Sequence, residues 1–154
     1  MANPLTILSL EPKGFQFIQE IPIAATPEKV WAALQNVGNW FIFDPDPAKR
    51  PKHILEMRPG GRWTMEFPDG TIDLNATVTR IEPNKLLRVS GHFGMSHLPV
   101  TTVLIFELQP EKGGTSTLLR LGQRTFGFLD AEAETRFKGG WAKLLPELKA
   151  LAEK

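Results

Sequence analysis

Alternating apolar and polar residues form the clearest pattern in the chain, and they fall in its middle third. Between positions 71 and 79 the apolar positions are Ile72, Leu74, Ala76 and Val78. Side chains two residues apart lie on the same face of a β-strand, so this segment predicts a strand with one buried face. A strand with one solvent-exposed face is typical of antiparallel pairing. The polar residues are expected on the outer face: Asp73, Asn75, Thr77 and Thr79.

Further strands are predicted on both sides of this segment. Apolar residues recur at alternate positions, or in short runs bounded by turn residues, at 15–23, 52–58, 62–67, 86–93, 104–108 and 115–126. Pro68-Asp69-Gly70 and Lys112-Gly113-Gly114 are typical turn sequences between such strands. Because no helical period interrupts the chain between positions 52 and 126, a meander is predicted rather than a βαβ array.

Two segments have a helical pattern instead. Thr26-Pro27-Glu28 combines a capping hydroxyl, a proline and an early acid, which is typical of a helix start; this short helix must end near Gly38. A long amphipathic helix is predicted over 130–153, because its apolar residues fall on one stripe: Phe137, Trp141, Leu144, Leu145, Leu148, Leu151 and Ala152. The predicted fold class is α+β, with a curved antiparallel sheet of about six to seven strands around the long C-terminal helix and one or two short helices after the first strand.

Length and composition bound the domain organisation. The chain has 154 residues, of which 42% are hydrophobic, the size and composition of one ordinary globular domain. Residues 1–14 contain two prolines and a glycine and are expected to form a tail or a short edge strand. Residues 15–154 are expected to form a single domain.

Charge and hydropathy exclude several classes of partner. The 18 basic and 17 acidic residues leave a net charge of +1, too little to attract nucleic acid. No segment approaches the ~20 apolar residues that span a bilayer, and the N-terminus lacks the basic start and long apolar core of a signal peptide. A cytoplasmic location is expected.

Cofactor motifs are missing from the sequence. There is no cysteine, which excludes thiolate metal sites and a thiol nucleophile; no P-loop or Gly-x-Gly-x-x-Gly frame suggests a nucleotide. His92 and His97 lie five residues apart at a strand end with no acidic ligand near them, an unfavourable spacing for a metal. We therefore expect neither a metal nor a cofactor.

The order of elements and several motifs resemble the START-like superfamily, also called SRPBCC or helix-grip. The sequence is most similar there to homologues of the activator of the ninety-kilodalton heat-shock protein's ATPase. The resemblance covers residues 15 to 153, and its principal motifs are Ala24-Ala25-Thr26-Pro27, Pro59-Gly60-Gly61-Arg62-Trp63, Ile81-Glu82-Pro83-Asn84-Lys85-Leu86-Leu87 and Gly140-Trp141. It implies a single START-like domain at 15–154. It does not select one activity, because the superfamily includes lipid carriers, hormone receptors, polyketide cyclases and co-chaperone domains.

Aromatic and methionine side chains are the candidate ligand-binding residues. In a helix-grip architecture the loop after the first helix, the strand centres and the closing helix converge on one cavity, for which we expect a volume of ~300–1,000 Å³. The apolar candidates are Trp40, Phe43, Trp63, Met65, Phe93, Met95, Phe106 and Trp141. Gln19, His92 and Gln123 are the polar candidates, expected either to pair within the protein or to hold the polar end of a ligand.

Three hypotheses for function follow. The leading one is a module that binds a small hydrophobic molecule. The second is a cavity enzyme of cyclase, dehydratase or hydrolase type; it ranks lower because only His92 and His97 are available as general acids or bases, and no catalytic residue is assigned. The third is a protein-interaction role, such as a module that stimulates a chaperone ATPase, and a homodimer is a further open alternative.

Overall fold

The computed structural model describes Leu5 and residues 9–154. The tail or edge strand predicted over residues 1–14 therefore lies partly outside the described residues. Of the described positions in that segment, residues 11–14 belong to the first strand.

Seven strands and two α-helices make up the fold. The strands are β1 (Glu11–Ile23), β2 (Lys52–Leu55), β3 (Arg62–Glu66), β4 (Ile72–Glu82), β5 (Leu86–Gly91), β6 (Val100–Glu111) and β7 (Ser116–Leu129). The helices are α1 (Pro27–Gln35) and α2 (Ala133–Ala152), with short 3₁₀ helices at Val37–Asn39, Pro47–Lys49 and Lys112–Gly114. Thr26 caps α1, since its side chain accepts the Lys29 N–H.

All seven strands form one antiparallel sheet in the order β1-β7-β6-β5-β4-β3-β2. Consecutive strands pair from β2 to β7, and β1 closes against β7, so the meander predicted from the turn residues is confirmed. Helix α2 packs against the sheet through buried Trp141, Leu144 and Leu148. The helix-grip prediction is thereby confirmed.

Helix α1 fills one end of the space between the sheet and α2. It contacts α2, β6 and β7 and buries Val30, Trp31 and Leu34. Two hydrogen bonds join the region around the start of α1 to the C-terminus that follows α2. The Ala24 N–H donates to Glu153 at 2.8 Å, and Lys29 Nζ donates to the Lys154 carbonyl at 3.0 Å. The apolar face of the C-terminal half of α2 is buried in the core at this end.

Strand β4 departs from the predicted alternation. Ala76 and Val78 are buried as expected, but Ile72 and Leu74 are 64% and 45% exposed, and Asn75 is only 2% exposed. A β-bulge explains the difference: Trp63 pairs with Ala76 while Thr64 pairs with Leu74, so Asn75 is an extra residue. The prediction that Asn75 faces outward was wrong, because one inserted residue reverses the faces of the strand beyond it.

Several element boundaries also differ from those predicted. Strand β2 ends at Leu55 rather than at 58, β5 at Gly91 rather than at 93, and α2 begins at Ala133 rather than at 130. At β2 the cause is a turn: the Arg58 N–H donates to the Glu56 carbonyl, and the Gly61 N–H donates to the Arg58 carbonyl. The segment that was predicted to continue the strand folds back toward β3 instead.

Candidate functional site

A cavity of about 510 Å³ lies between the N-terminal half of α2 and the sheet at β2, β3 and β4. The loop that precedes β2 and the loop that follows β5 complete its walls. This volume is within the range of pockets that hold small molecules. The cavity occupies the end of the sheet–helix space that α1 does not fill.

Aromatic rings are a prominent part of the wall. The rings that line the cavity are those of Phe41, Phe43, Phe67, Phe93, Phe137 and Trp141. Phe41 is central to them, with its ring centroid 5.2 Å from Phe43 and 6.0 Å from Trp141 in edge-to-face contacts. Met65 and Met95 add flexible thioether side chains to this wall, which suits it to ligands of varied shape.

Phe43 lies at the entrance. Its side chain is 62% exposed although it belongs to the cavity wall. The ring packs over Gly140 of α2, where a methyl group in place of the glycine hydrogen would be 3.9 Å from the ring. Phe43 therefore covers part of the opening between the loop and the helix.

Trp141 is fixed in orientation by a buried chain of hydrogen bonds. Its indole N–H donates to Gln123 Oε1 at 2.7 Å. The amide of Gln123 donates to Thr125 Oγ1 at 3.0 Å, and that hydroxyl lies 2.8 Å from the hydroxyl of Thr102. One face of the gripping helix is thus tied to β7 and β6 behind the cavity.

The charged residues at the entrance are mainly cationic. Lys49, Arg50 and Arg136 line the cavity together with one acid, Asp44. Arg50 Nε donates to the Asp44 carbonyl at 2.8 Å, and Arg136 forms a 3.1 Å ion pair with Asp130 outside the cavity. Cationic side chains therefore outnumber acidic ones among the described lining residues.

His53 contributes a neutral imidazole to the cavity wall. Burial lowers the pKa of His53 below its ordinary value of 6.5. The indole N–H of Trp63 donates to His53 Nδ1 at 3.1 Å. Because that bond requires Nδ1 to be the acceptor, the ring proton is on Nε2. Within the part of the chain that the structure describes, the Nε2–H group has no hydrogen-bond acceptor.

Asn75 is the most buried polar residue of the cavity wall. It is 2% exposed, and its side-chain nitrogen Nδ2 has no hydrogen-bond partner among the described residues. Leaving such a donor unpaired in a folded protein costs free energy. A polar group of this kind calls for a physical explanation.

The structure brings five of the sequence-predicted site residues together: Phe43, Met65, Phe93, Met95 and Trp141 all line the cavity. Trp40, Trp63 and Phe106 do not line it and are fully buried in the core behind the wall. Gln123 also lies behind it and acts through Trp141. The side chains that alternation assigned to the inner face therefore fall into two groups: some are packed in the core, and the others line the cavity.

Gln19 and His92 lie away from the cavity. Gln19 Nε2 donates to the Lys138 carbonyl at 3.2 Å on the outer side of α2. His92 is exposed, and its Nδ1 lies 2.8 Å from the Val100 carbonyl. Neither side chain is in position to hold the polar end of a ligand in this cavity.

Sequence reasoning missed His53 and Asn75. His53 pairs with Met65 across β2 and β3, so the hairpin itself was the signal that could have placed it beside a predicted lining residue. Asn75 carried no such signal, since the bulge that turns it inward is not visible in the alternation pattern.

The described residues contain no group of three or more His, Cys, Asp or Glu side chains placed to hold a metal ion. In the same part of the chain, neither helix combines the length and the apolarity needed to cross a bilayer. The chemistry of the site is thus that of aromatic rings, thioethers, an amide, an imidazole and a few cations at the opening.

Solved structures of low sequence identity share the fold. A protein from Rhizobium leguminosarum is 22% identical, with a TM-score of 0.72 over 96% of this chain and 99% of that one. A protein from Chromobacterium violaceum is 23% identical, with a TM-score of 0.67 over 90% and 97%. Norcoclaurine synthase from Thalictrum flavum is 14% identical, with a TM-score of 0.65 over 91% and 87%. These likenesses show the helix-grip fold.

Residues 24–153 match the family described as Activator of Hsp90 ATPase homolog 1-like protein. No curated protein sequence matches the chain significantly. The family match spans α1, β2 to β7 and the whole of α2. The chain belongs to this family.

Proposed function

We propose that this member of the Activator of Hsp90 ATPase homolog 1-like family binds a small, largely apolar molecule in the cavity between its sheet and α2. The observation that carries the proposal is the cavity of about 510 Å³ with a wall of aromatic rings and methionines. Its size and lining suit a ligand of two or three fused or linked rings, or a folded acyl chain.

The packing behind the wall supports binding rather than collapse. Trp141 is held by Gln123 and by ring contacts with Trp40 and Phe106, at centroid distances of 6.5 and 5.9 Å. A side chain anchored on three sides is not free to move into the cavity. The binding site is therefore preorganised, which lowers the entropic cost of ligand binding.

A titration of tryptophan emission with an apolar probe tests the proposal. Trp141 is the one tryptophan in the described cavity wall, so 2-ethylnaphthalene should change the emission saturably at micromolar concentrations. Met65→Trp places a larger side chain inside the cavity and should weaken binding of the probe at least tenfold, as measured by calorimetry. Ile54→Trp is the matched control, because Ile54 lies on the outer face of β2 and is 37% exposed.

Equal probe affinity in both variants would contradict the proposed site. If no apolar probe bound the wild type at all, the small-molecule proposal would fail. A protein-interaction role, including stimulation of a chaperone ATPase or assembly into a homodimer, would then become the leading hypothesis.

Acid–base chemistry in the same cavity is the second candidate. It is favoured by one observation: His53 and Asp44 both line the cavity, and His53 is neutral with its proton on Nε2. A neutral imidazole N–H can donate a hydrogen bond that polarises a bound carbonyl compound. Turnover of a bound carbonyl probe that disappears in His53→Asn would support catalysis, whereas binding without turnover leaves the carrier role.

A further inference from the structure

We infer that Asn75 is a recognition residue of the cavity, whose side-chain amide donates a hydrogen bond to a carbonyl or carboxylate oxygen on an otherwise apolar ligand. The inference rests on the proposed function and adds the chemical class of the ligand's polar end. It starts from the unpaired Nδ2 of Asn75, a side chain that is 2% exposed and lines the cavity.

The chain has specific features that hold Asn75 in this position. The bulge in β4 turns the residue to the inner face. The backbone N–H of Phe93 donates to the Asn75 carbonyl at 3.1 Å, and Phe93 has a left-handed φ of +44°. A non-glycine residue in that region is uncommon and costs free energy.

Gly91 in the neighbouring strand β5 also helps to hold Asn75 in this position. A Cβ atom at position 91 would lie 2.4 Å from the Asn75 carbonyl oxygen and 2.6 Å from the Ala76 Cα. Only a glycine permits this approach, so β5 accommodates the bulge instead of straightening it. A buried amide placed by a bulge, a strained loop and a required glycine is a built feature of the site.

The other polar groups that line the cavity favour an acceptor on the ligand. His53 lines the same cavity, and its Nε2–H is a second donor without an acceptor among the described residues. The single acid among the described lining residues, Asp44, already accepts the Asp46 N–H at 2.9 Å. With Lys49 and Arg50 at the opening, the cavity offers donors and positive charge, and an oxygen acceptor is the complementary group.

Three naphthalenes that share one apolar body test this inference. The probes are 2-acetylnaphthalene with a neutral carbonyl, 2-naphthoate with a carboxylate, and 2-ethylnaphthalene with no acceptor. Affinities are measured by calorimetry for the wild type and for Asn75→Leu, a substitution that conserves approximate size and removes the donor. The side-chain amide signal of Asn75 is followed by NMR in the wild type.

We expect Asn75→Leu to weaken an oxygen-bearing probe by about tenfold, the value of one hydrogen bond to a buried group, and to leave 2-ethylnaphthalene within about threefold. The Asn75 amide protons should shift downfield with the oxygen-bearing probe only. If the effect is larger for 2-naphthoate, the recognised group is an anion; if it is larger for 2-acetylnaphthalene, it is a neutral carbonyl.

Two results would overturn the inference. If all three probes bind and respond equally to Asn75→Leu, the amide has no role in recognition, although the apolar cavity remains a binding site. If none of them binds, the proposed function fails together with the inference. The NMR measurement on the wild type keeps the test valid even if Asn75→Leu does not fold.

Discussion

The two ends of the space between the sheet and α2 are built from the same strands and the same helix, but only one end is filled. At the C-terminal end of α2, helix α1 buries Val30 and Leu34, which are 0% and 1% exposed, in the same core cluster as Leu148. At the N-terminal end no α-helix of the described chain intervenes, and the loop that precedes β2 covers the opening with Phe43, which is 62% exposed.

The difference shows how this fold can be stable and still retain a cavity. The closed end supplies continuous apolar packing, which is the main source of stability. The open end keeps aromatic surface accessible and contains the unpaired amide of Asn75. A functional site is expected where close packing and complete hydrogen bonding are interrupted, and where the stability of the remaining fold compensates for that loss.

The largest expected effect concerns Trp141, which lies where the two ends meet. It is 4% exposed, contacts Trp40 and Phe106 on the packed side and lines the cavity on the other. Trp141→Ala should lower the free energy of unfolding by about 3–5 kcal/mol, measured by urea denaturation. Phe43→Ala at the exposed opening is the control and should cost less than ~1 kcal/mol. Similar losses in both variants would remove the distinction between the two ends.

Much of the closed end could be predicted from the sequence. The stripe from Trp141 to Leu148 and the cap at Thr26 are local signals, and the structure confirms both. The order of the strands also followed from the turn residues, because neighbouring strands of a meander are joined by short connections.

The open end was less predictable because it depends on irregular backbone. Asn75 and Asp73 were assigned to the outer face by a period of two that the bulge at Asn75 interrupts. Trp40, Trp63 and Phe106 share the inner face with the lining residues, but alternation does not report depth, and they pack behind the wall. His53 was overlooked because its placement depends on the register that pairs it with Met65 across the β2–β3 hairpin, which alternation alone does not fix.

Alanine substitutions at two glycines test whether the backbone around the bulge is sterically constrained. Gly91→Ala would place a methyl group against the Asn75 carbonyl at 2.4 Å, and backbone atoms cannot easily move away. We expect a loss of about 1–3 kcal/mol in the free energy of unfolding. Gly122→Ala in β7 is the matched control, since nothing lies within 4 Å of the added Cβ. A loss at position 91 no greater than at position 122 would mean that the bulge is not constrained.

Two buried amides sharpen the comparison further. Gln123 is 1% exposed, and both its side-chain oxygen and nitrogen have a hydrogen-bond partner behind Trp141, whereas Asn75, at 2% exposed, has an unpaired nitrogen. Gln123→Leu should cost about 1–3 kcal/mol because the indole N–H loses its acceptor, while Asn75→Leu should leave stability unchanged or raise it by about 1 kcal/mol. Thermal and urea denaturation measure both. A loss at Asn75 equal to that at Gln123 would assign Asn75 a structural role.

The smallest expected effect is the pH dependence of His53. Burial lowers its pKa below 6.5, so the unfolded chain binds a proton more readily than the folded one. The contribution of neutral His53 to stability is therefore complete above about pH 6.5 and is lost as the pH falls below that value. The urea midpoint should drop more between pH 7.5 and 5.5 in the wild type than in His53→Asn, where the side-chain oxygen can still accept from Trp63. Equal drops would mean that the imidazole is solvated.

The most direct test of ligand binding at the open end uses the methionine methyl groups. The chain has four methionines; Met65 and Met95 line the cavity, whereas Met57 packs against the core and does not. With ¹³C-labelled methionine methyls, titration with 2-acetylnaphthalene should shift the Met65 and Met95 signals saturably and give cross-relaxation between these methyls and the probe, while Met57 stays unchanged. A titration that leaves Met65 and Met95 unshifted at saturating probe, or that shifts Met57 instead, would contradict ligand binding in this cavity.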